Sequence, residues 1–110
     1  MNSEVKQQTF SEIIKGKTPV LVDFYADWCA PCKMMAPILQ ELKTMMGDSL
    51  NIVKIDTDRN PDAAIKYQVR GIPTLILFKE GNILWQQAGV MRASQLKTII
   101  DQKIGEYESA

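Results

Sequence analysis

The sequence predicts an α/β fold: a mixed sheet of four or five strands with helices on both faces. Three observations predict it. The stretch from Pro19 to Ala26 carries Val20, Leu21, Val22, Phe24 and Tyr25 without polar alternation, the pattern of a central strand buried on both faces. Further apolar runs alternate with segments of helical period, giving the order β-α-β-α-β-α-β-β-α. The last two strands, Thr74 to Lys79 and Ile83 to Ala88, are separated only by Glu80-Gly81-Asn82, a hairpin-length connection.

Each element has a local reason. Residues 4–8 read as an edge strand. Thr9-Phe10-Ser11-Glu12 is a capping box, a hydroxyl followed three residues later by a carboxylate, and it starts a short helix through Ile13 and Ile14 that stops at Gly16. Pro31 opens a long helix that runs to about Met46 and ends at Gly47, with proline in the first turn and glycine just past the end. Its apolar residues Met34, Met35, Ile38, Leu39, Leu42, Met45 and Met46 recur at helical spacing. Pro37 lies inside it and should kink it, since proline cannot donate to the carbonyl of Lys33. Asn51 to Asp56 is a second core strand, Asn60-Pro61-Asp62 starts a short helix reaching about Tyr67, and Gly71-Ile72-Pro73 is a turn before the next strand. Ser94 is expected to cap the last helix, which runs through Leu96, Ile99, Ile100 and Ile104.

A chain of 110 residues reads as one domain, 1–110, with enough length for a core without disulfide staples. Lysine plus arginine and aspartate plus glutamate number 13 each. No basic stripe is present, which argues against nucleic acid or an anionic membrane surface as a partner. No apolar run approaches the ~20 residues that span a bilayer. Met1 to Phe10 lacks the apolar centre of a secretory signal; with only two cysteines, a reducing cytoplasm is the expected compartment. No metal is expected, because zinc takes about four Cys, His or carboxylate ligands and the chain has two cysteines and no histidine. The Met34-Met35 and Met45-Met46 pairs read as core packing rather than soft-metal ligands.

The chemistry concentrates in Cys29-Ala30-Pro31-Cys32, which holds both cysteines at a strand-to-helix junction. Cys29 just before the helix and Cys32 within its first turn can close and reopen a small disulfide ring. Unpaired N–H groups and the positive end of the helix dipole favour a Cys29 thiolate, lowering its pKa from about 8.5 toward neutrality. Cys32 points back into the helix and should be less exposed, which makes Cys29 the attacking and Cys32 the resolving cysteine. The bland alternative is a buried structural disulfide or two core thiols. Asp23 interrupts the apolar strand six residues before Cys29. Burial should raise its pKa, so that it can take the proton from Cys32 and return it; the alternative is a strand-end aspartate satisfied by backbone or solvent. Lys54, in the neighbouring strand, either reaches Asp23 and moderates that shift or snorkels outward.

Trp28-Cys29-Ala30-Pro31-Cys32-Lys33, preceded by Val22-Asp23-Phe24 and followed by Gly71-Ile72-Pro73-Thr74, resembles the thioredoxin family. The likeness extends to Pro37, to Asp56-Thr57-Asp58-Arg59-Asn60-Pro61, and to Gly89 after the last strand. It implies a thioredoxin fold and a protein-disulfide reductase. It also implies that Trp28 walls the substrate surface, that the Ile72–Pro73 bond is cis and Ile72 pairs with the substrate backbone, and that Gly89 with Val90 completes the groove. Asp23 matches the family's buried acid and Lys54 its usual neighbour. No cofactor is implied on this chain: the redox-active Cys29–Cys32 disulfide carries the electrons, and flavin and NADPH belong to a thioredoxin reductase partner. Disulfide-containing proteins are the implied substrates and a monomer the implied state.

The sequence departs from the family at Ala30, where glycine is usual, and at Tyr25, often tryptophan. Ala30 stiffens the turn by up to about 1 kcal/mol relative to glycine, so it and Pro31 should tune the redox potential modestly. The Tyr25 hydroxyl needs a partner near the site. Three other readings compete. An oxidant or isomerase of an oxidising compartment is disfavoured by Ala30-Pro31, since such relatives usually place histidine between the cysteines. An exported thioredoxin-like reductase shares the same logic. A non-catalytic interaction module has no need of a tuned pair beside Asp23.

Overall fold

The N-terminal helix starts where its cap places it. In the computed structural model, which describes residues 9–110, the Thr9 hydroxyl accepts from the Glu12 N–H and the Glu12 carboxylate accepts from the Thr9 N–H at 2.8 Å. Helix α1 spans Phe10–Ile13. The edge strand expected at residues 4–8 lies outside the described residues.

Strand β1 (Val20–Tyr25) pairs in parallel with β2 (Asn51–Asp56) on one side and antiparallel with β3 (Thr74–Lys79) on the other. Strand β4 (Asn82–Ala88) closes the hairpin on β3, so the described sheet is mixed and four-stranded, in the order β2-β1-β3-β4. The β3–β4 register shifts between Leu77, opposite Trp85, and Phe78, opposite Ile83, so one strand carries an extra residue.

The long helix α2 runs Ala30–Met46 with Pro37 inside it, followed by a 3₁₀ turn at Gly47–Ser49. Helix α3 (Pro61–Lys66) links β2 to β3, and α4 (Ala93–Glu108) closes the chain. Its N-cap is Arg92, not Ser94: the Arg92 N–H donates to Gln95 Oε1 at 3.3 Å, and Ser94 lies one residue inside the helix. The helix therefore starts two residues earlier than a Ser94 cap would place it, with Ala93 buried, because packing outweighs the capping preference that Ser94 offers.

The two faces of the sheet carry separate cores. On one, Leu21, Leu75 and Leu77 meet Met35, Leu39 and Leu42 of α2 and Leu96 and Ile100 of α4. On the other, Val20, Val22, Phe24, Ile76 and Phe78 pack with Phe10 and Tyr67, whose rings meet edge to face at 5.7 Å. Each fully buried Leu, Ile or Phe contributes about 1.5–3 kcal/mol of transfer free energy, so alternate residues of β1 anchor opposite layers.

Gly47 ends α2 at φ +56 and ψ −133, where only glycine is at ease, and a Cβ there meets nothing within 4 Å. Gly105 lies within α4 with equally open surroundings. Gly47→Ala should therefore cost about 1–3 kcal/mol through backbone conformation alone, whereas Gly105→Ala should stabilise by up to about 1 kcal/mol. Urea denaturation of the two variants checks this; equal effects would refute the backbone account.

Candidate active site

Topology brings one end of the sheet to the cysteines. The parallel pair β1 and β2 both finish there; β3, antiparallel to β1, begins there, and β4 finishes there. The segments at that end are therefore the start of α2, the turn after β2, the loop before β3 and the loop after β4.

Cys29 is the N-cap of α2, and its Sγ accepts the Cys32 N–H at 3.2 Å. This is the expected contact between a sulfur and an otherwise unpaired helix N–H. Cys29 and Cys32 are joined as a disulfide. The expected difference in exposure is absent: Cys29 is 3% and Cys32 6% exposed, because in the closed ring both pack against Ala26, Tyr25 and Ile72. The asymmetry lies in hydrogen bonding instead. The Ile72 carbonyl oxygen is 3.8 Å from Cys29 Sγ, a contact to which only the reduced thiol can donate.

The Ile72–Pro73 bond is cis, and Pro73 is buried against the sheet end. The Pro73 carbonyl accepts from the Gly89 N–H at 2.8 Å, and Gly89 holds φ +105. This bond ties the loop after β4 to the loop before β3, with Val90 exposed beside them. Trp28 is 71% exposed and its indole Nε1 donates to Asp58 Oδ2 at 2.9 Å. Asp58 is held in turn, since Asp56 Oδ1 accepts from the Asp58 and Arg59 N–H groups at 2.9 and 3.3 Å. Asp58 is the site-end residue that the sequence reading missed; the Asp-Thr-Asp run marked a turn, but nothing in it named an indole 30 residues away as the partner. Ala30 and Pro31 are the exposed first residues of α2.

Asp23 is 1% exposed, and its Oδ1 has no hydrogen-bond partner. Burial pushes its carboxyl from 3.8 up to about 6, against a smaller opposing pull from the Lys54 charge. Lys54 is its cross-strand partner in β2. No ion pair joins the two among the described residues; the Lys54 ammonium lies 4.5 Å from the centroid of the Tyr25 ring. Tyr25 is half-buried, and no partner for its hydroxyl is found among the described residues; its ring is the part that meets Lys54. No cluster of three or more Cys, His, Asp or Glu that could hold a metal occurs among the described residues.

A disulfide at a helix start, beside a cis-proline loop and backed by a buried acid, defines a thiol–disulfide oxidoreductase of α/β fold. The thioredoxin family model matches residues 2–102. The chain is 46% identical over 94 residues to thioredoxin C-2 of Corynebacterium nephridii, covering 86% of this chain and 87% of that one. It is 45% identical over 93 residues to a thioredoxin of Pseudomonas aeruginosa, covering 84% and 86%. Among solved structures, a mutant thioredoxin from Halobacterium salinarum matches with a TM-score of 0.79 at 36% identity, over 89% of this chain and 85% of that one. The chain belongs to the thioredoxin family and is a protein-disulfide reductase. The family needs no bound cofactor, since the cysteine pair carries the electrons.

The raised carboxyl of Asp23 sets a pH dependence for stability. An acid whose folded pKa lies above its unfolded value stabilises fully below the unfolded value and loses that contribution as pH rises through the folded one. Here the window runs from 3.8 to about 6, and the loss is on the order of 2–3 kcal/mol. Asp23→Asn should be more stable than the parent at pH 8 by about that amount, with the gain fading toward pH 4. Denaturation curves at both pH values test it; a gain independent of pH would disprove the buried charge as its cause.

Proposed function

We propose that Cys29 is the attacking thiolate, Cys32 the resolving thiol and Asp23 the acceptor and donor of the Cys32 proton. The observation that carries this reading is the Cys32 N–H donated to Cys29 Sγ at the head of α2, which favours negative charge on that sulfur. Cys29 thiolate attacks one sulfur of a substrate disulfide, forming a mixed disulfide and expelling the other sulfur as a thiolate. Cys32 passes its proton to Asp23 and attacks the Cys29 sulfur. The Cys29–Cys32 bond forms, the mixed disulfide breaks, and the second substrate sulfur leaves and is protonated. Two electrons pass from the dithiol to the substrate.

The substrate is an extended protein segment carrying a disulfide, laid across Trp28, Ile72, Pro73, Gly89 and Val90, with Ile72 offering backbone groups. Exposed Trp28 held by Asp58 supports this reading, since a fixed apolar wall costs less to order on binding than a mobile one. The chain works as a single domain over 1–110 and as a monomer, in a reducing cytoplasm. It serves as an electron carrier between a thioredoxin reductase, which holds flavin and draws on NADPH, and its substrate proteins. No helix of the described residues is long and apolar enough to cross a membrane.

In an insulin-reduction assay with dithiothreitol, Cys29→Ser should lose all detectable turnover, whereas Cys32→Ser should accumulate a covalent mixed disulfide visible by mass spectrometry. Turnover by Cys29→Ser, or adducts trapped on Cys32 rather than Cys29, would reverse the assignment.

A further inference from the structure

Lys54 is an exposed residue whose ammonium has an aromatic neighbour. Residues 21, 23 and 25 of β1 and 52, 54 and 56 of β2 point to one face of the sheet, as their parallel register requires. Asp23 and Lys54 are opposite each other, and Tyr25 is the next residue on that face. Lysine is long enough to carry its ammonium into solvent, and Lys54 lines an open recess between α2 and β2 together with Ala36, Gln40 and Val53. Though the residue is exposed, its Nζ sits 4.5 Å from the Tyr25 ring centroid, within the range of an attractive cation–π contact. The same ring packs against Ala26, Cys29 and Cys32.

We propose that Tyr25 is a positioning residue for the exchange reaction: its ring holds the Lys54 ammonium beside β1, where the charge acts on Asp23. Tyr25 thereby links the cysteine cluster to the cation that balances the acid. On the strands paired with β1, few charged groups lie beside Asp23. Strand β2 supplies Lys54 and, one pair further on, Asp56; β3 sets uncharged Leu75 opposite it. The Cys29–Cys32 pair at the head of α2, which packs with Tyr25, carries no charge while bonded. Lys54 is thus the one cation among them, and its pull opposes the effect of burial on Asp23. Released into the recess, it would leave Asp23 protonated to higher pH, so that at neutral pH a smaller fraction is ionised and free to accept the Cys32 proton. The inference rests on the role proposed above for Asp23, and the test separates the two.

The experiment is a double-mutant cycle read by carbon NMR of the Asp23 side-chain carboxyl in the oxidised protein. Tyr25→Leu should raise the titration midpoint by about half a unit, the scale expected from losing one cation–π anchor. Tyr25→Phe and Tyr25→Trp keep a ring face and should hold the midpoint at or below that of the parent; phenylalanine also keeps the ring's packing, so it remains informative if the leucine variant folds poorly. In a Lys54→Met background, Tyr25→Leu should add no further rise. The upfield shift of the Lys54 ε-methylene protons should persist in the phenylalanine variant and vanish in the leucine one. A rise of equal size in the Lys54→Met background, or a phenylalanine variant that behaves like leucine, would overturn the proposal. Should the midpoints move as expected while the pH profile of insulin reduction stays fixed, the Tyr25–Lys54 anchor stands and the relay role of Asp23 falls.

Discussion

Strand β1 is paired on both edges and covered on both faces, and the site depends on that enclosure. Two layers of apolar side chains, anchored by alternate residues of one short strand, leave a charge in the middle only 1% exposed. Asp23 occupies that middle with one oxygen unpartnered. Such a group destabilises the fold when ionised, and the same burial pushes its carboxyl up to about 6. The stability cost and the proton-transfer role proposed for Asp23 therefore draw on one physical fact, the burial of β1.

The second requirement is convergence, and strand direction supplies it. A parallel β1–β2 pair followed by an antiparallel hairpin puts four connections at one end of the sheet. Each delivers one part: the head of α2 brings the cysteines, the turn after β2 brings Asp58 to the indole, and the other two bring Pro73 and Gly89 into contact. The parts are cross-tied by hydrogen bonds, Trp28 to Asp58 and Gly89 to Pro73. Placed on tied loops above a rigid sheet, the disulfide is flanked by fixed apolar and backbone surface of the kind that recognises an extended chain.

Much of this was readable from residues alone, because the signals were local. A capping box, a proline-led helix, a glycine stop and an unbroken apolar strand each depend on near neighbours, and each formed within a residue or so of its expected place. Ser94 failed as a cap because burial of Ala93 is a tertiary term that no local pattern records. The Trp28–Asp58 bond and the Tyr25–Lys54 contact were out of reach for the same reason: they join turns and strands whose spacing is set by the whole sheet. The thiol asymmetry was expected in exposure but emerged in hydrogen bonding, since closing the ring buries both sulfurs together.

Ala30 shows how such a local signal enters a global property. It stands at the first residue of α2, in the oxidised protein already helical. Its preference for helix over glycine, at most about 1 kcal/mol, acts on the backbone and not on the sulfurs. A propensity moves a redox equilibrium only by the amount it differs between the oxidised and reduced backbones. If the turn were helical in one state alone, the full preference would correspond to about 20 mV for a two-electron couple; if helical in both, it cancels. The Cys32 N–H bond to Cys29 Sγ favours the second case, because a thiolate accepts that bond more strongly than a disulfide sulfur and keeps the first turn wound. If reduction leaves the Ala30 backbone where it is, the departure from glycine stiffens the site and displaces its potential by only a small part of that bound.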